Sequence, residues 1–255
     1  MRYVTKIWGI MALTTILSAC TTHYRLTGVS RERIVVDKRY DLQPEEAVWQ
    51  YIAPFKHRVD SIMCPIVGHV AHDMSAERPE SDLSNLLGDI LVWAGKDYGE
   101  EPVLGVYNMG GIRAALTKGA VSYGDVLDVA PFENKICFLT LTGEKLTELL
   151  QQIAARGGEG VSHGLEMVIT KDLKLVSARL FGKEIDPKGS YRIATINYLA
   201  QGNDGMTAFK DGTELNSPQE ERNNTRFIIM NYFRFMEAQG KLVDSKMEGR
   251  IRIEN

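Results

Sequence analysis

The sequence is poor in the residues that build metal centres and covalent staples, with 3 cysteines and 5 histidines in 255 residues. Cysteine this sparse excludes a disulfide-framed scaffold. No apolar run reaches the roughly 20 residues that a membrane-spanning helix requires. An excess of one charge is missing as well, since 30 basic residues stand against 33 acidic ones, and there are no internal repeats or low-complexity tracts. Residues 42–255 are enough for one well-buried domain.

The first 20 residues read as a lipoprotein leader. Arg2 and Lys6 precede an apolar core from Ile7 to Leu17, and Leu17-Ser18-Ala19-Cys20 forms a lipobox. Residues 1–19 are then a signal peptide and Cys20 the lipidated residue, because the apolar run is too short to span a bilayer. Several acyl chains on one cysteine hold a protein to a membrane where a single chain is marginal. The expectation is a lipid-anchored protein of the cell envelope on the periplasmic side, as Thr22 to Gly28 carry no acidic run. Without Arg2 and Lys6 the balance is 28 basic residues against 33 acidic ones, which removes nucleic acid as the obvious partner. Cys64 and Cys137 lie in apolar, strand-like runs, and two buried free thiols are favoured over a disulfide between them.

Residues 20–41 are polar and aperiodic and read as a tether. Pro44, Glu45 and Glu46 open a helix that should break near Pro54 and resume to Ile62. Ile66 to Val70 read as a strand, and Ser81 or Asp82 caps a helix with Leu83, Leu86, Leu87, Ile90, Leu91 and Ala94 on one side. Val103 to Tyr107 form a buried strand that runs into Gly110-Gly111. Ile136 to Leu141 then lead into a helix capped by Thr142 and ended by Gly157-Gly158. Strands follow at Leu165 to Thr170, Leu175 to Phe181 and Tyr191 to Ile196, then a largely apolar helix from Thr225 to Ala238 and a strand from Arg250 to Ile253. Hairpin and crossover connections together imply an α/β, or layered α+β, domain in which helices flank a mixed sheet.

Three segments carry the functional reading: Asn108-Met109-Gly110-Gly111-Ile112-Arg113, Pro131-Phe132-Glu133-Asn134, and Asn197 to Gly205. A diglycine after a strand lets backbone approach a ligand, and an arginine two residues on can present its fork to phosphate. The same residues also fit a tight turn with a surface charge. Phe132 and Tyr198 sit at loop positions where two aromatics can clamp a planar base, though each alone also reads as a core aromatic. Asp204, among turn residues, can accept hydrogen bonds from a ribose diol or simply cap a short helix.

Taken together and in this order, the three segments resemble the C-terminal, substrate-binding domain of the 5'-nucleotidase family, which includes UDP-sugar hydrolases and 2',3'-cyclic phosphodiesterases. Softer matches at residues 78–85, 121–126, 141–143 and 248–251 extend the resemblance over residues 42–253. It implies that Phe132 and Tyr198 sandwich the base, Asn134 contacts its edge and Asp204 holds the ribose hydroxyls. Arg113, Asn108 and Arg78, with the Gly110-Gly111 backbone, would address the phosphate or sugar end, and Gly164 would bring backbone close to the base. Tyr198 stands where well-known members have phenylalanine, and Asn203 replaces a glycine.

Family members that hydrolyse phosphate esters do so in a metallophosphatase domain with Asp-x-His, Gly-Asn-His-Asp/Glu and Gly-His-x-His motifs, and none of these occurs in the sequence. His69 and His72 imitate a ligand pair, but a strand would turn them to opposite faces. No catalytic residue and no cofactor is therefore assigned to this chain. The expectation is the nucleotide- or nucleoside-binding half of a phosphohydrolase, with zinc or manganese on a separately encoded metallophosphoesterase partner. A stand-alone nucleoside- or nucleotide-binding lipoprotein is the alternative.

Overall fold

The computed structural model describes residues 24–40 and 45–254, so the leader, Cys20 and Pro44 lie outside the described residues. Two units divide the chain, residues 1–52 and 53–255. In the first, residues 24–36 are exposed and carry no helix or strand, and the Tyr40 amide closes a turn on the Asp37 carbonyl at 3.1 Å. Helix α1 (Glu46–Met63) starts in this unit and ends in the second. The break predicted near Pro54 is absent: the proline lies inside the helix, at the expense of one backbone hydrogen bond. No helix among the described residues is long and apolar enough to cross a membrane.

In the second unit β1 (Ile66–Val70) is followed by α2 (Asp82–Ala94), β2 (Leu104–Tyr107), β3 (Gly119–Ser122), α3 (Tyr123–Val129) and β4 (Ile136–Thr142). Next come α4 (Gly143–Ala155), β5 (Gly160–Val161), β6 (Leu165–Ile169), β7 (Leu175–Leu180) and β8 (Lys183–Glu184). The chain continues through β9 (Ser190–Ile196), α5 (Asn197–Ala200), β10 (Thr213–Asn216), α6 (Thr225–Ala238) and β11 (Ile251–Ile253). The central sheet has the order β10-β4-β9-β2-β5, a second sheet the order β11-β6-β7-β8, and β1 pairs with β3 alone. Strands β2 and β9 are parallel while β4 and β9 are antiparallel, so the sheet is mixed. The α/β architecture inferred from the sequence is the one observed.

The capped helix is α2. Ser81 accepts from the Ser84 amide at 3.3 Å in a capping box, and all six residues of the predicted apolar face are buried. It packs on the sheet at backbone distance, for a Cβ on Gly88 would come 2.7 Å from the Val161 carbonyl carbon, and one on Gly105 would collide with the Gly88 carbonyl oxygen. Thr142 caps α4 as predicted, accepting from the Lys145 amide at 3.3 Å. Six elements escaped the sequence reading, β3, α3, β5, β8, α5 and β10, of which the longest, α3, has seven residues. None is long enough to show a hydrophobic period. In α6 Ile228, Ile229, Met230 and Phe233 are buried, while Phe235 remains exposed. Both thiols are free, but only Cys137 is buried, and burial pushes its pKa up to about 11. Cys64 is exposed just past the end of α1, which corrects the expectation of two buried thiols.

A buried ion pair joins the C-terminal segment to α2. The Arg250 side chain is 4 % exposed and grips Asp89 with Nη1 at 2.9 Å and Nη2 at 2.8 Å. Its Nη1 also donates to the Val161 carbonyl at 2.7 Å, and its Nε to Glu248 at 2.9 Å. Removing one partner of such a pair leaves the other uncompensated, at a cost of about 3–5 kcal/mol. Asp89 keeps a third of its side chain in water, so Arg250→Ala should lose about 3 kcal/mol in urea unfolding. A loss below about 1 kcal/mol, the range of an exposed ion pair, would show that the pair does not hold the segment.

Candidate functional site

The register of the central sheet brings the three sequence segments to one end. Ile136 at the start of β4 pairs with Ile196 at the end of β9, so the loop before β4 and the turn after β9 emerge side by side. Strand β2 runs parallel to β9 and delivers Asn108 and the glycine turn to the same end. Two hydrogen bonds, one of them to a side chain, lock the arrangement. The Asn197 amide donates to the Lys135 carbonyl at 2.8 Å, and the Lys135 amide donates to Asn197 Oδ1 at 3.0 Å.

A pocket of about 200 Å³ forms there, lined by Asn108, Gly110, Phe132, Asn134, Tyr198 and Asp204. Phe132 is 48 % exposed and Tyr198 37 %. Neither ring is engaged with another aromatic ring among the described residues. Enclosed ligand sites commonly occupy roughly 300–1,000 Å³, so this pocket suits one planar group rather than a whole nucleotide. Larger depressions, of about 600, 540 and 400 Å³, lie along α4 and β7, around His163 and Phe181, and between Val103 and Tyr191, and none is lined by these residues.

Asp204 is the polar centre of the pocket. Asn108 Nδ2 donates to its Oδ2 at 2.7 Å and the Tyr198 hydroxyl to its Oδ1 at 3.3 Å. Desolvation and the neighbouring Asp204 charge raise the Tyr198 pKa above its usual value, which keeps the phenol a donor. The Asp204 backbone is left-handed, with φ +55°, between Gly202 and Gly205, and the Asn203 side chain ties the turn to the Tyr198 carbonyl at 2.8 Å. Asn108 is 5 % exposed, and its Oδ1 is buried without a hydrogen-bond partner. That oxygen explains the second glycine: a Cβ on Gly111 would stand 2.5 Å from it.

Other residues named from the sequence sit elsewhere. Arg113 is exposed, reaches back to the Gly110 carbonyl at 3.3 Å and does not line the pocket. Arg78 donates from Nε to the Arg156 carbonyl at 2.7 Å and from Nη2 to Glu159 at 2.5 Å. Gly164, with φ +94°, is packed beneath the Phe181 ring in the depression around His163. It is therefore not one of the residues lining the pocket, because Phe181 occupies the space next to its Cα.

The structure adds three residues the sequence reading missed. Glu159 has no exposed side-chain surface and accepts from Arg78, from Arg156 Nε at 2.6 Å and from the Met109 amide at 2.5 Å. Arg156 also brings Nη2 to 3.7 Å from Asp204 Oδ1. Arg226, in the first turn of α6, donates to the Pro131 carbonyl at 3.0 Å, while Thr225 donates from its amide to the Asn134 carbonyl at 2.8 Å. The start of α6 thus holds both ends of the Phe132 loop. A charged residue between Gly157-Gly158 and the apolar β5 was the one sequence signal for Glu159; nothing comparable marks Arg156 or Arg226.

Metal ligation does not fit the described residues, among which no group of three or more His, Cys, Asp or Glu side chains could hold an ion. His69 meets Glu237 at 2.9 Å, while His72 lies 3.3 Å from both Asp82 and Asp244. The two histidines thus face different partners.

Comparisons with known proteins bear on the family and the fold. The sequence pattern of the family described as 5'-nucleotidase, C-terminal domain, matches residues 66–211. The trifunctional nucleotide phosphoesterase protein YfkN of Bacillus subtilis (strain 168) is 27 % identical over 236 residues, which cover 85 % of this chain and 16 % of that protein. Protein UshA of Escherichia coli (strain K12) is 34 % identical over 103 residues, 39 % of this chain and 19 % of UshA. The crystal structure of a 5'-nucleotidase precursor from Thermus thermophilus superposes with a TM-score of 0.68 at 26 % identity, covering 82 % of this chain and 43 % of that one. The chain thus spans less than half the length of each of these proteins. With the family pattern matching more than half of its residues, and with the fold in agreement, the chain belongs to the 5'-nucleotidase C-terminal domain family.

Proposed function

We propose that this protein is the nucleotide- or nucleoside-binding half of a 5'-nucleotidase-type phosphohydrolase. The observation that carries the reading is the pocket whose lining combines two half-exposed aromatic rings, each unstacked among the described residues, with the Asp204 carboxylate, which is itself held by Asn108 and Tyr198. Stacking between Phe132 and Tyr198 serves any base, and Asp204 accepts hydrogen bonds from sugar hydroxyls. The modest volume leaves the phosphate end of a nucleotide outside, where Arg113 is free to turn toward it. Catalysis then belongs to a metallophosphatase unit outside the described residues, on our reading a separately encoded one carrying zinc or manganese.

The same proposal includes attachment to the cell envelope through Cys20, on the periplasmic side. Cells fed a labelled fatty acid should transfer label to the wild-type chain and not to Cys20→Ser, and the variant should appear in the soluble fraction. Label persisting on Cys20→Ser would refute the anchor.

Purified protein mixed with a candidate metallophosphatase and Mn²⁺ or Zn²⁺ should hydrolyse AMP well above the sum of the separate rates. Equal rates with and without this chain would remove the shared-enzyme reading. Calorimetry on the chain alone tests the pocket directly: Phe132→Ala and Tyr198→Ala should each weaken adenosine binding by about 1–3 kcal/mol, the range for losing one face of a base stack. Unchanged affinity in both variants would show that the rings do not clamp the base.

A further inference from the structure

Arg156 closes α4 as its C-terminal cap, and the reversal at Gly157-Gly158, both at positive φ, returns the chain so that Glu159 faces it. Nε of Arg156 is bound to Glu159 at 2.6 Å. A guanidinium carries five N–H donors. Its two Nη atoms make no hydrogen bond among the described residues, and Nη2 stands 3.7 Å from Asp204 Oδ1. The Glu159 side chain is wholly buried and that of Arg156 is 33 % exposed. The fork is thus oriented from behind while its outer edge stays available.

Asp204 is complementary. An ionised carboxylate offers about four lone-pair sites, of which Asn108 and Tyr198 take two. The remaining acceptor sites lie beside the free donors of Arg156, across a gap too wide for a hydrogen bond and too short for the charges to be independent. An acceptor and a donor edge side by side match a vicinal diol, in which one hydroxyl donates to the carboxylate while its neighbour accepts from the guanidinium.

We infer that Arg156, oriented by Glu159, is a specificity-determining residue that works with Asp204 to select ribose over 2'-deoxyribose. This rests on the nucleoside pocket proposed above and extends it to a residue outside the pocket lining. A site built to bind a hydroxyl rejects the analogue that lacks it, because its polar groups are then left with weaker partners. Since both side chains keep some contact with water, the discrimination is expected at the low end for charge-assisted hydrogen bonds, about tenfold.

Calorimetry of the full chain with adenosine and with 2'-deoxyadenosine gives the test as a ratio of two dissociation constants, which a partly unfolded preparation does not change. Wild type should favour adenosine about tenfold. Arg156→Ala should bring the ratio close to unity, whereas Phe132→Ala should weaken both ligands and leave the ratio as it was. Should Arg156→Ala bind neither nucleoside, Arg156→Lys, which keeps the charge without the fork, decides by the same ratio. A ratio unchanged from wild type in the deciding variant, or equal affinity of wild type for the two nucleosides, overturns the role of Arg156 while the pocket stands. Failure of wild type to bind either nucleoside overturns the pocket reading and this inference together.

Discussion

One buried carboxylate organises the end of the sheet where the pocket lies. Glu159 is shut off from water, so its charge must be answered inside the protein, and donors from three separate stretches of chain answer it. Arg78 comes from the loop before α2, Arg156 from the end of α4, and the Met109 amide from the start of the glycine turn. Each donor is thereby fixed in place by the same cost, the desolvation penalty of an unpaired carboxylate. Two guanidiniums on one carboxylate leave a positive excess, and the Arg156 fork carries it toward Asp204.

Around that centre the fold supplies rigid backbone, and the pocket residues stand on its ends. Asn108 follows β2, the Phe132 loop precedes β4, and Tyr198 follows β9. The first turn of α6 braces the Phe132 loop through Thr225 and Arg226. At Asp204 the backbone occupies the left-handed region, which costs an aspartate less than most residues because its short polar side chain bonds locally. The side-chain bonds from Asn108 and Tyr198 offset part of that strain. What results is a preorganised set of acceptors, donors and ring faces, a chemistry of holding a ligand.

Sequence alone was strong on elements with a long period or a clear cap. Leu83 to Ala94 declared α2 through their spacing, Thr142 declared the start of α4, and Gly157-Gly158 its end. It was weak where packing rather than pattern decides: α3 and β10 are too short to show a period, and α1 runs on through Pro54 where a break was expected. The same division holds for the pocket. Asn108, Gly110, Phe132, Asn134, Tyr198 and Asp204 were legible as a set through the family resemblance of their segments, and the fold brings them to one pocket. Gly164 carried only a glycine's permissiveness, which here serves the close approach of Phe181.

The sequence by itself determined the fold class, since hydrophobic period and caps are local properties, and it marked the pocket segments through their resemblance to a family. Only the tertiary structure decided how those segments are joined. The pairing of Ile136 with Ile196 sets two distant loops side by side, and the burial of Glu159 gathers Arg78, Arg156 and the glycine turn around one charge. No local pattern could foretell this, because the charge of Glu159 is costly only once the chain around it has closed.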